Sequence, residues 1–340
     1  MSMSHENPAE AAAAILGEVG VRGRESAQYA ALTGGTYNTV LRITLDRGSD
    51  WVLKLPPRSA EGLAYERGLL TGEVTFYESA VTVDDAGIVP RVVHSDTGAA
   101  ADTGPYLIMT ACPGSPWHEV ADSLEDGEQG RLREELGQLV ARLHAVTGPG
   151  FGYPAQPLGP LTPTWREAFT TMTGAVLDDA ERYAARLPRS TTAIREVFAA
   201  ASGVLDEVTR PALVHFDLWQ GNLLLSGPPG AVRLSGLIDG ERMFWGDPVA
   251  DFVSLALFAD MEQDKEFLTG YARAGGEVVF DDSVRLRLAL YRAYLYLIML
   301  VEVEPRKAAP ADREWAWSHV APQLLSALDD VESGLHGGRQ

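Results

Sequence analysis

Apolar residues come in short blocks over residues 25–55: one at 29–32, a Thr33-Gly34-Gly35-Thr36 turn, then blocks at 40–45 and 51–55. Blocks of that length separated by Gly-containing turns predict an antiparallel meander. Over residues 63–79 the period changes. Leu69, Val74, Phe76 and Tyr77 recur among Glu66, Glu73 and Glu78, which predicts a helix, and a strand is expected near residues 88–93. Tyr106-Leu107-Ile108-Met109 reads as a short buried strand that Ala111-Cys112-Pro113-Gly114 breaks. Beyond it, Leu132, Leu136, Leu139, Val140 and Leu143 form one apolar helical face, closed by Gly148-Pro149-Gly150. Helical patterns at 165–187 and 191–208 follow. Residues 213–252 read as loop, hairpin and helix start, and helices fill the remainder, including the strongly apolar 286–301. Strands first and helices afterwards predict an α+β fold with two lobes and a cleft. The break places a small antiparallel-sheet lobe at residues 1–110 and a larger, mainly helical lobe at 111–340.

Composition narrows the partners. With 46% hydrophobic and 22% charged residues among 340, the chain is of ordinary globular make-up. Twenty-eight Lys and Arg against 47 Asp and Glu give a net charge of -19, a field that repels phosphate backbones and anionic headgroups. Nucleic acid and membrane are therefore not expected partners. Cys112 is the single cysteine, which rules out an intrachain disulfide and a Cys-based zinc site. The longest uncharged apolar run, 293–301, is far short of the roughly 20 residues of a membrane span. Residues 1–14 carry Glu6 and Glu10 and no basic stretch ahead of an apolar core, so a cytoplasmic protein is expected.

The chemistry concentrates in residues 213–225, where an apolar segment gives way to His215-Phe216-Asp217-Leu218-Trp219-Gln220-Gly221-Asn222 and then returns to leucines. Some fifteen residues later, Asp239 stands at the end of another apolar segment, Leu237-Ile238. Phosphoryl transfer needs a carboxylate near the acceptor hydroxyl and an oxygen-rich pair to hold magnesium against the donor phosphates. Asp217 suits the first task, and Asn222 with Asp239 the second. A hairpin turning at Ser226-Gly227-Pro228-Pro229-Gly230 would bring Asn222 and Asp239 to one end.

This H-x-D-x-x-x-x-N with a following Asp resembles the aminoglycoside phosphotransferase and choline kinase branch of the protein-kinase-like fold. The resemblance implies a magnesium-dependent transfer from ATP or GTP. It implies that Lys54 holds the donor α- and β-phosphates, with Glu73 as its ion-pair partner and Glu66 as the next candidate for that role. Gly34, Gly35 and Asn38 match the phosphate-covering turn. Met109 to Cys112 would be the hinge whose backbone, at Thr110 and Cys112, meets the purine.

Two departures from protein kinases bear on the acceptor. Phe216 stands where many of them carry the Arg that reads a phosphorylated activation loop. Only eleven residues separate Asp239 from Asp251, too few for a peptide platform, so the expected acceptor is a small molecule and not a protein. Asp247 reads as an N-cap ahead of Pro248, opening a helix that carries Phe252, Leu255 and Phe258. Asp251 resembles the family's buried brace of the catalytic loop, and His215 reads as structural. Trp117, Trp219, Phe244 and Trp245 line an acceptor pocket or pack in the core. Glu302 and Glu304 contact a cationic acceptor or form a solvated face.

No G-x-x-x-x-G-K-[ST] or G-x-S-x-G is present, which removes P-loop kinases and argues against serine hydrolases. A paired-carboxylate glycosidase would leave Asn222 and the Lys54/Glu73 pair unexplained. The acceptor suggested by the resemblance is an antibiotic, an aminoglycoside or a nucleoside. A choline- or amino-alcohol kinase and a catalytically silent nucleotide-binding module are the alternatives.

Overall fold

The computed structural model describes residues 7–32, 38–46, 48, 50–57, 61–98, 104–125 and 127–337. Gly34 and Gly35 lie outside the described residues. The meander is present: β1 (Gln28–Ala31), β2 (Thr39–Thr44) and β3 (Asp50–Leu55) pair antiparallel in sequence order. β4 (Val92–Asp96) and β5 (Tyr106–Thr110) complete a five-stranded sheet ordered β1-β2-β3-β5-β4. The fourth strand begins later than its pattern suggests, because Ile88 and Val89 are buried in a loop, where the Ile88 carbonyl accepts from Leu237 N–H.

The pleat sorts this sheet into two faces. Leu41, Ile43, Leu53, Leu55, Tyr106 and Ile108 pack with Ala12, Ile15 and Leu16 of α1 (Pro8–Glu18), a helix that the sequence pattern did not reveal. Leu107 and Met109 face α2 (Leu69–Ala80), whose Phe76 and Tyr77 are fully buried. Lys54 pairs with Leu107 across the strands and so projects from the α2 face. The expected helix over 63–79 is split: a 3-10 turn at Ala64–Glu66 precedes α2, and Gly68 between them sits at φ +92.

After β5 the chain turns at Gly114, where φ is +110 and a Cβ would lie 2.2 Å from the Leu225 carbonyl oxygen, so only glycine fits. β6 (Ser115–Pro116) then joins β8 (Leu223–Ser226) and β9 (Arg233–Leu237) in a second sheet, while β7 (Ala212–Val214) pairs with β10 (Phe244–Gly246). Around them lie α3 (Trp117–Val120), α4 (Glu128–Ala145), α5 (Trp165–Arg182), α6 (Thr191–Ala201), α7 (Asp251–Leu255), α8 (Lys265–Arg273), α9 (Asp282–Val301) and α10 (Pro310–Gly337). The fold is α+β and kinase-like, with a small antiparallel-sheet lobe and a larger helical one. Asp247 caps as expected, accepting from Val249 N–H at 3.1 Å, but α7 stops at Leu255, and Phe258 lies beyond it at φ +62. No described helix is long and apolar enough to cross a membrane.

Candidate active site

Asn222 and Asp239 meet because β8 and β9 form the expected hairpin. Leu223 lies opposite Leu237, and Ile238 N–H donates to the Asn222 carbonyl at 3.0 Å. Asp239 adopts φ +64 at the strand end, and Gly240 follows where a Cβ would meet the Phe76 ring at 2.4 Å. The Asp-Gly pair thus lets the turn sit directly on α2.

Asp217 is presented by a loop that is tied down in several directions. The Asp251 carboxylate accepts from His215 N–H at 3.1 Å, from Phe216 N–H at 2.6 Å and from His144 Nε2 at 2.9 Å. Phe216 takes φ +62, a strained setting for a bulky residue that these bonds hold in place. His215 is fully buried. Its Nδ1 accepts from Asp217 N–H at 3.2 Å and its Nε2 donates to the Ile238 carbonyl at 3.0 Å, the pattern of a neutral ring. Burial lowers its pKa in the same sense, so His215 is structural, as expected. Asp251→Ala would strand two buried N–H groups at about 1–3 kcal/mol each, and a chemical denaturation curve should show a loss of that order. An unchanged midpoint would contradict the bracing role.

On the other side, Lys54 Nζ lies 2.6 Å from Glu73 Oε1 and also contacts Asp239 Oδ1. Glu66, the other candidate partner, is elsewhere: it accepts from Leu63 N–H at 2.7 Å and from Arg306 at 2.6 Å. Burial pulls the Lys54 pKa down, but the carboxylates of Asp239, Glu73 and Glu241 outweigh it and hold the amine charged. Burial raises the Glu73 pKa, and in Asp239 the lysine overcomes burial and lowers it. Asp217 is pushed up by burial, against the pull of Arg242.

Three side chains at this site carried no functional assignment from sequence. Tyr77, one helical turn beyond Glu73, donates to Glu73 Oε1 at 2.7 Å and accepts from Asp239 N–H at 3.0 Å. Glu241 accepts from Asn38 Nδ2 at 2.7 Å, and burial together with its carboxylate neighbours pushes its pKa up to about 7. Arg242 stands with its Nε 3.9 Å from Asp217 Oδ2. Their only sequence signal was adjacency to Glu73 and Asp239.

The donor set fits magnesium. Glu73, Asp239 and Glu241 bring carboxylate oxygens within 4.8 Å of one another, and Glu73 Oε2 is buried with no hydrogen-bond partner. The Asn222 amide nitrogen is committed to the Asp217 carbonyl at 2.8 Å, which leaves Oδ1 as its ligating atom. All these donors are hard oxygens.

At the end of β5, where the sequence places a hinge, the Thr110 hydroxyl accepts from Arg91 N–H at 2.9 Å and the Cys112 thiol donates to the Ile88 carbonyl at 3.4 Å. Both side chains face the protein, so what these residues can offer a ligand is main chain. Burial pushes the Cys112 thiol up to about 11. Reaction with iodoacetamide should therefore be slow at pH 8, where about 0.1% is thiolate, and quicken about tenfold per pH unit toward 11. Rapid labelling at neutral pH would contradict that burial. Trp117, Phe244 and Trp245 are core residues, whereas Trp219 is 41% exposed and stacks on His118. Glu302 and Glu304 are engaged by arginines, Glu302 by Arg242 and Arg306 and Glu304 by Arg313.

A kinase-like lobe pair closing on one lysine, four acidic side chains and an asparagine defines the class. The chain belongs to the phosphotransferase enzyme family, whose model matches residues 28–291. It is 26% identical over 190 residues to the viomycin phosphotransferase of Streptomyces vinaceus, a match spanning 55% of this chain and 61% of that protein. Among solved structures it superposes on a candidate aminoglycoside phosphotransferase from Ralstonia eutropha with a TM-score of 0.65, at 14% identity over 95% of this chain and 98% of that one. It also superposes on an aminoglycoside phosphotransferase variant solved with ADP and hygromycin B, with a TM-score of 0.57, at 17% identity over 96% of this chain and 98% of that one.

Proposed function

We propose that this chain is a magnesium-dependent O-phosphotransferase that moves the γ-phosphoryl group of ATP or GTP to a hydroxyl of a small-molecule antibiotic. The observation that carries the reading is the contact of the Lys54 ammonium with both Glu73 and Asp239, with Asn222 and Asp217 on the adjoining hairpin and loop. Lys54, fixed by Glu73, binds the donor α- and β-phosphates. Gly34, Gly35 and Asn38 cover them, and the backbone at Thr110 and Cys112 meets the purine. Residues 1–110 supply most donor contacts, and 111–340 supply the metal ligands and the acceptor site.

Asn222 and Asp239 would hold the magnesium ion, which when bound neutralises charge on the donor phosphates. Asp217 orients the acceptor hydroxyl and takes its proton as the new P–O bond forms. Most of the acceleration then comes from positioning and fixed charge, because phosphoryl transfer has a loose transition state. Lys54, Asp217, Asn222 and Asp239 are all present, which argues against a silent binding module. The likeness to a viomycin phosphotransferase supports an antibiotic acceptor, and the net charge of -19 suits a cationic one.

The test is acceptor-stimulated ADP or GDP release with magnesium, across viomycin, aminoglycosides, nucleoside antibiotics and choline. Stimulation by an antibiotic is expected. Stimulation by choline alone would turn the reading to a metabolite kinase. No stimulation with nucleotide still bound would turn it to a binding module.

A further inference from the structure

Glu302 sits beyond α9, far in sequence from the catalytic loop, yet its Oε2 accepts from Arg242 Nη2 at 2.9 Å and pairs ionically with Arg306 Nη2 at 3.1 Å. Arg306 Nη2 also reaches Glu66 Oε1 at 2.6 Å, and Glu66 in turn holds Leu63 N–H. At the opposite end Arg242 Nε approaches Asp217 Oδ2 at 3.9 Å. The charges alternate along the whole series, Glu66, Arg306, Glu302, Arg242, Asp217. Exposure of the side chains is 1% at Glu66, 22% at Arg306, and 14% at both Glu302 and Arg242.

Such a series is costly to bury, and replacing buried ions by apolar groups is often neutral or stabilising. Its arrangement does something an apolar cluster cannot. One end lies in the connector between β3, which carries Lys54, and α2, which carries Glu73. The other end lies beside the carboxylate proposed to receive the acceptor proton. A planar guanidinium whose Nη2 is fixed by Glu302 cannot swing freely, so its charge stays close to Asp217. The gap of 3.9 Å is too long for a hydrogen bond but short enough for a charge to bias the carboxylate's orientation.

We propose that Glu66, Arg306, Glu302 and Arg242 form a positioning relay that sets the Asp217 carboxylate relative to the donor side, with Glu302 as its central member. The proposal rests on the phosphotransferase reading above. Glu302, which its sequence context offers as a contact for a cationic acceptor, is a positioning residue in this arrangement.

The experiment measures kcat and the nucleotide KM for Glu302→Gln, Arg242→Ala and the double variant, with the acceptor that scores in the release assay. Asp217→Ala and Glu262→Gln run alongside. Glu302→Gln keeps volume and loses charge, and its kcat should fall about tenfold with the nucleotide KM within about twofold. In the Arg242→Ala background it should cost nothing further, because it acts through that arginine. Glu262→Gln, which disturbs only an exposed pair with Arg285, should leave kcat unchanged. Should Glu302→Gln not fold, Glu66→Gln carries the test from the other end, with an expected fall of about threefold. Unchanged kcat in the folded variant, or losses that multiply in the double variant, overturn the relay while an inactive Asp217→Ala leaves the function standing. Near wild-type turnover in Asp217→Ala overturns both.

Discussion

Asp217→Ala is expected to lower turnover by about 10²- to 10⁴-fold, the usual worth of a positioned general base, while nucleotide affinity stays within about twofold. The asymmetry follows from the geometry. Asp217 contacts neither Lys54 nor Glu73; its carboxylate faces Arg242, and its backbone is held by His215 and Asn222. Removing the carboxylate should therefore leave the proposed donor contacts intact and take away the group proposed to orient the acceptor hydroxyl. Acceptor-dependent ADP release and a nucleotide titration on the same preparation separate the two. A variant that turns over near the wild-type rate removes Asp217 from the mechanism, and one that loses nucleotide binding places it on the donor side.

Asp239→Ala should act in the opposite way, abolishing the rise in melting temperature that magnesium-nucleotide produces. Three carboxylates, Glu73, Asp239 and Glu241, crowd one ammonium, and Asp239 raises the pKa of both of the others. Removing it breaks an ion pair but also relieves repulsion, and Lys54 keeps Glu73 at 2.6 Å. The ligand-free protein should therefore melt close to the wild type. What is lost is the hard oxygen ligand proposed beside Asn222 and a charge that would draw the metal into place. A thermal shift series with nucleotide, with and without magnesium, reads this directly. An undiminished magnesium-dependent shift would contradict the assignment of Asp239 as a ligand.

The site was legible in the sequence where its members are linked by short chain geometry. Asp217 and Asn222 share one loop, Asn222 and Asp239 share one hairpin, and Glu73 stands on the first helix after Lys54. Loop and hairpin spacing group Asp217, Asn222 and Asp239, whereas the pairing of Lys54 with Glu73 came from the family resemblance. Tyr77 and Arg242 were not legible as members, because each earns its role from a partner on another element: Tyr77 from the Asp239 backbone, and Arg242 from Glu302 sixty residues away. Glu302 was misplaced for the same reason. An acidic residue after an apolar helix looks solvent-facing until the arginines that cover it are found. In the fold, α1 escaped because its stretch of alanines gives little contrast between its faces, although Asn7 caps it and Pro8 opens it. The stop of α7 at Leu255 was also hidden, since Phe258 continues the helical spacing while its backbone has already turned left-handed.

The claim on which the rest depends is that a phosphoryl group leaves a nucleotide held at Lys54 and arrives on the oxygen of a small molecule beside Asp217. Mass spectrometry of an antibiotic library incubated with the protein, magnesium and both nucleotides tests it most directly. The account predicts that an antibiotic gains about 80 daltons with the wild type and that the gain disappears with Asp217→Ala. A library that emerges unmodified while the protein still binds magnesium-nucleotide would contradict it.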